Sequence, residues 1–199
     1  MKNILTTIIL FTILSCKAQQ IIVPLGGSQD YQYTPNYYVK DVNLLLNKYI
    51  GTWKYTNGAT EITLTLKKEI HYTISNTKNY QDLLVGEYQY IDNGIEKINT
   101  LIDLNNPLIT GYEHKISGSR LISTRVYPPC INCALGEKRL DINIKDPTTE
   151  FAEGRLILRH LTDVNGIERL ETFIYDKSYL GDGIIRIKIP NGEYTFIKQ

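Results

Sequence analysis

The strongest constraint on this chain is apolar–polar alternation, repeated and punctuated by Asn-Gly pairs. Ile62, Leu64 and Leu66 interleave with Thr63 and Thr65, Leu140, Ile142 and Ile144 with Asp141 and Asn143, and Ile185, Ile187 and Ile189 with Arg186 and Lys188. A period of two places one face of each segment in a core and leaves the other wet, the signature of a strand in an antiparallel sheet. Asn57-Gly58, Asn93-Gly94, Asn165-Gly166 and Asn191-Gly192 punctuate these runs, and such pairs supply the positive φ angles of tight hairpins. Candidate strands fall near 52–56, 60–67, 70–75, 83–91, 95–104, 109–116, 120–127, 138–145, 154–162, 168–175, 184–189 and 193–198. Some are loops or continuations, so eight to ten strands are expected. No long helical period separates them, which disfavours parallel βαβ topology and leaves a meandering barrel or a sandwich. The use of 15 tyrosines, with many Ile and Thr residues, agrees with a mainly β fold.

One segment departs from the alternation. Asp41 is placed as a helix N-cap, followed by Val42, Leu45, Leu46, Tyr49 and Ile50 at helical spacing, with Gly51 as the stop. A short amphipathic helix is expected here, its apolar face laid against the sheet or the mouth of a barrel.

The N-terminus carries an address. Lys2 precedes an apolar run from Ile4 to Leu14, which has the grammar of a signal peptide and is too short to cross a bilayer core. It ends Ile13-Leu14-Ser15-Cys16, which resembles a lipobox: two aliphatic residues, a small one, then the cysteine whose thiol receives diacylglycerol. An ordinary secretory cut after Ala18 is the competing reading. The expected organisation is a lipoprotein signal peptide over 1–15, the lipidated Cys16 with a flexible tether over 16–40, and one domain over 41–199. Tyr31, Tyr33, Tyr37 and Tyr38 within the tether are expected to pack back onto the domain.

Two resemblances follow from these motifs. The start Cys-Lys-Ala-Gln-Gln is similar to lipoproteins of Bacteroidota, and together with Gly-Thr-Trp-Lys-Tyr-Thr-Asn-Gly it resembles their small lipoproteins of unknown function. In such proteins acidic residues after the cysteine accompany surface export; none stands here, which implies the periplasmic face of the outer membrane. Gly51-Thr52-Trp53 resembles the Gly-x-Trp opening of lipocalins and related calycin barrels. That resemblance implies an up-and-down barrel whose tryptophan plugs the closed end beneath a short helical lid. It also implies a basic side chain from the last strands over the indole, with Arg186 or Lys198 in place to serve.

The expected function is noncatalytic binding. If the barrel is open, Trp53, Ile62, Leu64, Leu66, Tyr88 and Tyr90 line a pocket for a small apolar or amphipathic ligand. If the same side chains meet across the axis, the protein is an envelope scaffold or a binder of another protein. Lys plus Arg total 22 against 21 Asp plus Glu, and removing Lys2 leaves 21 against 21, so nucleic acid is excluded as a partner on charge. In an oxidising compartment a disulfide is the simplest fate of Cys130 and Cys133; zinc would need two further ligands, and a redox site would need a helix rather than the flanking prolines. His71, His114 and His160 follow no ligand spacing. Glu150/Glu153 and Glu168/Glu171 read as solvated faces rather than catalytic pairs. No catalytic residue, metal site or cofactor is expected.

Overall fold

The computed structural model describes residues 20–27, 36–74, 77–177 and 185–199. Cys16, Tyr31 and Tyr33 lie outside the described residues. The strands are β1 (Ile21–Pro24), β2 (Tyr37–Lys40), β3 (Gly51–Asn57), β4 (Thr60–Thr73), β5 (Tyr80–Asp92), β6 (Ile95–Asn99), β7 (Ile116–Ile122), β8 (Arg139–Lys145), β9 (Glu153–Thr162), β10 (Glu168–Lys177) and β11 (Gly192–Lys198).

Eight of them close into an antiparallel barrel. The order runs β5, β4, β3, β11, β10, β9, β8, β7, and β7 returns to β5 through Leu84↔Gly118, Val85↔Ser117 and Gly86↔Ile116. Closure leaves no free edge among these strands, which is how an all-antiparallel sheet avoids open pairing. One edge of the long β5 is shared by three partners: β2 at Tyr80 and Gln81, β7 in the middle, and β6 from Gln89 to Asp92.

Inward side chains alternate as the period of two requires. Ile62, Leu64 and Leu66 of β4, Leu140, Ile142 and Ile144 of β8, and Leu156 and Leu158 of β9 are buried in one continuous cluster with Trp53, Tyr88, Tyr90 and Phe196. The Asn57-Gly58, Asn93-Gly94 and Asn165-Gly166 pairs each join neighbouring strands. Asn191-Gly192 does not turn a tight hairpin. It ends the long connection into β11, where the Asn191 side-chain oxygen accepts from the Asp176 backbone N–H.

Three expectations are corrected. No α-helix follows Asp41: a single 3-10 turn, Asn47–Tyr49, stands there. The Asp41 carboxylate does accept from the Leu45 and Leu46 backbone N–H groups, so the capping chemistry is present without the helix. Only Leu46 and Tyr49 of the apolar stripe are fully buried, while Val42 faces solvent, so burial selects two anchors instead of a helical face. Second, the tether is partly built into the fold. β1 and β2 pair in parallel, Leu25, Tyr38 and Val39 are buried, and the Asp82 carboxylate accepts from the Tyr38 hydroxyl (2.5 Å) and the Asp41 backbone N–H (2.9 Å). Third, the Ile185–Ile189 alternation is not a strand. Ile187 and Ile189 are buried as alternation predicts, but the Ile187 and Lys188 backbone N–H groups are satisfied by the Asp176 and Asp146 carboxylates instead of a neighbouring strand. The segment thus serves as a plug. A Cβ on Gly154 would sit 2.8 Å from the Ile187 side chain, so the glycine makes room for it.

The expected segments 60–67 and 70–75 merge, within the described residues, into the single strand β4 (Thr60–Thr73), bent at a bulge between Glu69 and Tyr72 where His71 has φ +57°. The expected strand over 109–116 is a 3-10 turn, Gly111–Glu113, closed by a capping box between Thr110 and Glu113.

Candidate functional site

The end of the barrel at which β3 begins, here called the base, is closed from the sequence upward. Gly51 enters β3, and two residues on, the Trp53 indole is fully buried with its N–H donating to the Tyr49 carbonyl (2.9 Å). Lys198, the last residue of β11, places its ammonium 5.3 Å from the indole centroid, filling the role that the lipocalin resemblance left between it and Arg186. The Lys198 ammonium also donates to Glu168 (2.7 Å), whose other oxygen meets His160 Nε2 (2.8 Å). The His160 ring stands edge-on to Trp53 at 5.9 Å. The hydrogen bond from Lys198, then that from His160, hold the Glu168 carboxyl below its ordinary range. Burial raises the Tyr49 phenol, whose hydroxyl has no partner, and the nearby Glu137 charge adds to the shift. This cluster is a structural stopper: ring, cation and carboxylate satisfy one another around the tryptophan.

A second buried pair lies on the outer face of β5. Glu87 and His114 are fully buried, and Glu87 Oε1 meets His114 Nδ1 at 2.8 Å and accepts from the Lys115 backbone N–H at 3.3 Å. Residues 100–115 form the cover, pinned by Glu69 accepting from the Gly111 backbone N–H (2.8 Å) and by Lys67 donating to the Leu104 carbonyl. Gly111 is required there: its φ is +50°, and a Cβ would fall 2.0 Å from the Tyr72 ring.

Among the described residues a concavity lies outside the barrel. A groove of about 320 Å³ is bounded by Pro128 to Asn132 on one side and by outward residues of β9, β10 and β11 on the other, including Arg159, Phe173 and Thr195. Its rim is braced by the Cys130–Cys133 disulfide (Cα–Cα 5.5 Å). Arg159 joins loop and wall by donating to the Asn132 carbonyl (2.8 Å), to Glu137 (2.7 Å) and to Glu171 (2.8 Å). The Arg159 hydrogen bond holds Glu137 below its ordinary range. Arg139, almost wholly buried, donates to the Ser123 and Val126 carbonyls and so ties down the loop's start. Beside it the buried Asp141 is shared by Arg120 and Arg155.

Trp53, Ile62, Leu64, Leu66, Tyr88 and Tyr90 are thus brought together, but as members of the core, and none of them lines the groove. The base is covered by Leu46 and Tyr49, and the opposite end by Ile187 and Ile189. The three histidines are dispersed: His71 stacks on Tyr80 (4.0 Å), His114 meets Glu87, and His160 meets Glu168. Glu168 and Glu171 serve different partners, Lys198 with His160 and Arg159, so they do not act as a pair. Among the described residues no group of His, Cys, Asp or Glu is arranged to hold a metal ion. Sequence reasoning missed the Arg139, Asp141, Arg155 and Arg159 wall. Its signal, charges of both signs on the polar faces of 138–145 and 154–162, acquires meaning only once the register brings Asn143 opposite Arg155.

A closed eight-stranded antiparallel barrel, with Gly-x-Trp at its base and a cation over the indole, defines a lipocalin-like barrel. The chain belongs to a family of unknown function, DUF6705, whose model matches residues 1–199. No curated protein and no solved structure matches the chain.

Proposed function

We propose that this chain is a noncatalytic lipoprotein of the cell envelope, held by lipid on Cys16 at the periplasmic face of the outer membrane, whose filled barrel displays an outer-wall groove to another envelope protein. The carrying observation is the division between inside and outside. The side chains suited to line an internal pocket are absorbed into one core, whereas the described concavity is external, mixed in polarity and braced by a disulfide. An aromatic (Phe173), a guanidinium (Arg159) and hydrogen-bonding Thr195 on a rigid sheet wall are the ingredients of a protein-recognition patch. The lipobox at Ile13–Cys16 supports the anchor.

The test places a photo-crosslinking residue at Thr195 of the full chain in its native cells. The expected result is one adduct of defined mass, lost when Arg159→Ala or the Cys130→Ser/Cys133→Ser pair frees the loop. Native mass spectrometry of the protein from its own membranes supplies the counter-test. An equimolar small molecule that copurifies, is unaffected by Arg159→Ala and is released by Leu64→Ala would overturn the groove in favour of a ligand inside the barrel.

A further inference from the structure

The direction of the strands places the chain's N-terminal entry and a set of bare aliphatic side chains at one end of the barrel. Antiparallel alternation puts the connections 41–50, 123–138 and 163–167 at the base, together with the end of β4, the start of β5 and the end of β11. β1 runs parallel to β2, and β2 parallel to β5, which starts at the base, so the chain also enters there. The Gln20 side chain lies 3.4 Å from His71 at the base end of β4. Cys16 precedes Gln20 by four residues, a reach of at most about 14 Å when fully extended.

At this same end of the barrel, separate segments expose large aliphatic groups. Leu135 and Val164 are fully exposed, at 106% and 102%, Ile70 is 67% exposed, and Leu44, at 60%, is held outward by a left-handed backbone with φ +54°. Ile95 and Phe151 are exposed to a similar degree at the opposite end, so exposure alone does not choose an end; the four base residues gain meaning from standing at the end where the chain enters. Exposed charge at the base is mostly cationic. Lys48, Arg125 and Lys138 are exposed, while Asp41, Glu137 and Glu168 are committed to Lys68, Arg159 and Lys198. The Asp163 carboxylate accepts from the Asn165 and Ile167 backbone N–H groups. Exposed aliphatic tips and exposed cations at one end suit a bilayer, with the tips among acyl chains and the cations at phosphates.

We infer that the base of the barrel rests on the lipid surface, its Leu44, Ile70, Leu135 and Val164 side chains inserted beside the Cys16 lipid, so that the barrel stands upright on the membrane. The inference rests on the proposed lipidation of Cys16. The short reach from Cys16 to Gln20 supplies the orientation, because it holds the base within a few residues of the bilayer whatever path the intervening chain takes.

The chain's single tryptophan is fully buried, which makes an introduced indole a local reporter. Full-length protein, produced with its own leader and purified from membranes, is reconstituted into phosphatidylcholine vesicles with brominated acyl chains. Three variants are compared: Val164→Trp and Leu135→Trp at the base, and Phe151→Trp, exposed in the connection between β8 and β9 at the opposite end. The expected result is strong quenching at both base positions and several-fold weaker quenching at Phe151→Trp. Equal quenching at all three, or none at the base, overturns the orientation. Intact-mass measurement separates this from failure of the anchor: a diacylglycerol-modified Cys16 with no quenching at the base leaves the anchor standing and removes the docking, whereas an unmodified N-terminus overturns both.

Discussion

At the scale of single residues, the base of the barrel shows how one tryptophan recruits ionic chemistry. Lys198 lies over the Trp53 ring and donates to Glu168, which also holds His160. Replacing Lys198 by Met keeps much of its aliphatic bulk and removes both the cation–π contact and the ion pair. A loss of about 1 to 2 kcal/mol in urea unfolding is expected. The pH dependence has a definite sign. Because Glu168 and Glu137 are held below their ordinary range in the folded state, each contributes stability that is complete above the unfolded carboxylate value. That contribution is lost as pH falls through the lower folded values. Unfolding midpoints should therefore fall on acidification below about pH 4, with a shallower fall in Glu168→Gln. The Glu87–His114 pair tests a different balance. Each partner is fully buried, so His114→Leu strands a buried carboxylate and is expected to cost about 3 to 5 kcal/mol. The double variant Glu87→Leu/His114→Leu removes both polar groups and should recover much of that loss in the same measurement.

Elements were legible in the sequence to the extent that local pattern alone decides them. The alternation at 60–67, 138–145, 154–162 and 168–175 and three of the four Asn-Gly pairs correspond to strands and their turns, because inward burial and positive φ are local requirements. The segment after Asp41 shows where pattern fails. Helical spacing of Val42, Leu45, Leu46 and Tyr49 is compatible with a helix, yet packing over the barrel base needs only Leu46 and Tyr49, and the chain turns in 3-10 geometry to deliver them. The Ile185–Ile189 stretch fails in the complementary way: its period of two reports burial faithfully but not pairing, since carboxylates of Asp176 and Asp146 occupy the donors a strand would use. If two anchors matter and the stripe does not, Leu46→Ala should cost about 2 to 5 kcal/mol. Val42→Ala, at an exposed position, should stay within about 0.5 kcal/mol. An equal cost at both, measured by urea unfolding, would restore the helix.

For the whole molecule, the decisive contacts are those no local pattern announces. Closure depends on Gly86↔Ile116 and its two neighbours, and the outer-wall groove depends on a loop of 16 residues, 123–138, folding back over β9 and β10. The residues of the core were therefore readable, whereas the site was not: Arg159 gains its role only when Glu137, Asn132 and Glu171 converge on it. The same view separates the N-terminal strands from the barrel. β1 and β2 lie outside the closed circuit of eight strands. β2 pairs with Tyr80 and Gln81 of β5 and is further fastened by the Tyr37 backbone N–H donating to Asn79 (3.2 Å), by the Tyr38 hydroxyl and the Asp41 backbone N–H donating to Asp82, by the Tyr38 ring standing edge-on to His71, and by the burial of Val39. Because its strand ladder to β5 is two residues long and lies outside the closed circuit, the pair should open without unfolding the barrel. Amide hydrogen exchange by mass spectrometry is expected to show 21–24 and 37–40 exchanging well before 62–66, 140–144 and 156–158. Tyr38→Phe should quicken exchange in the first two segments while leaving the barrel strands unchanged. Uniform protection across all five segments, unaltered by Tyr38→Phe, would instead make the N-terminal strands part of one cooperative unit with the barrel.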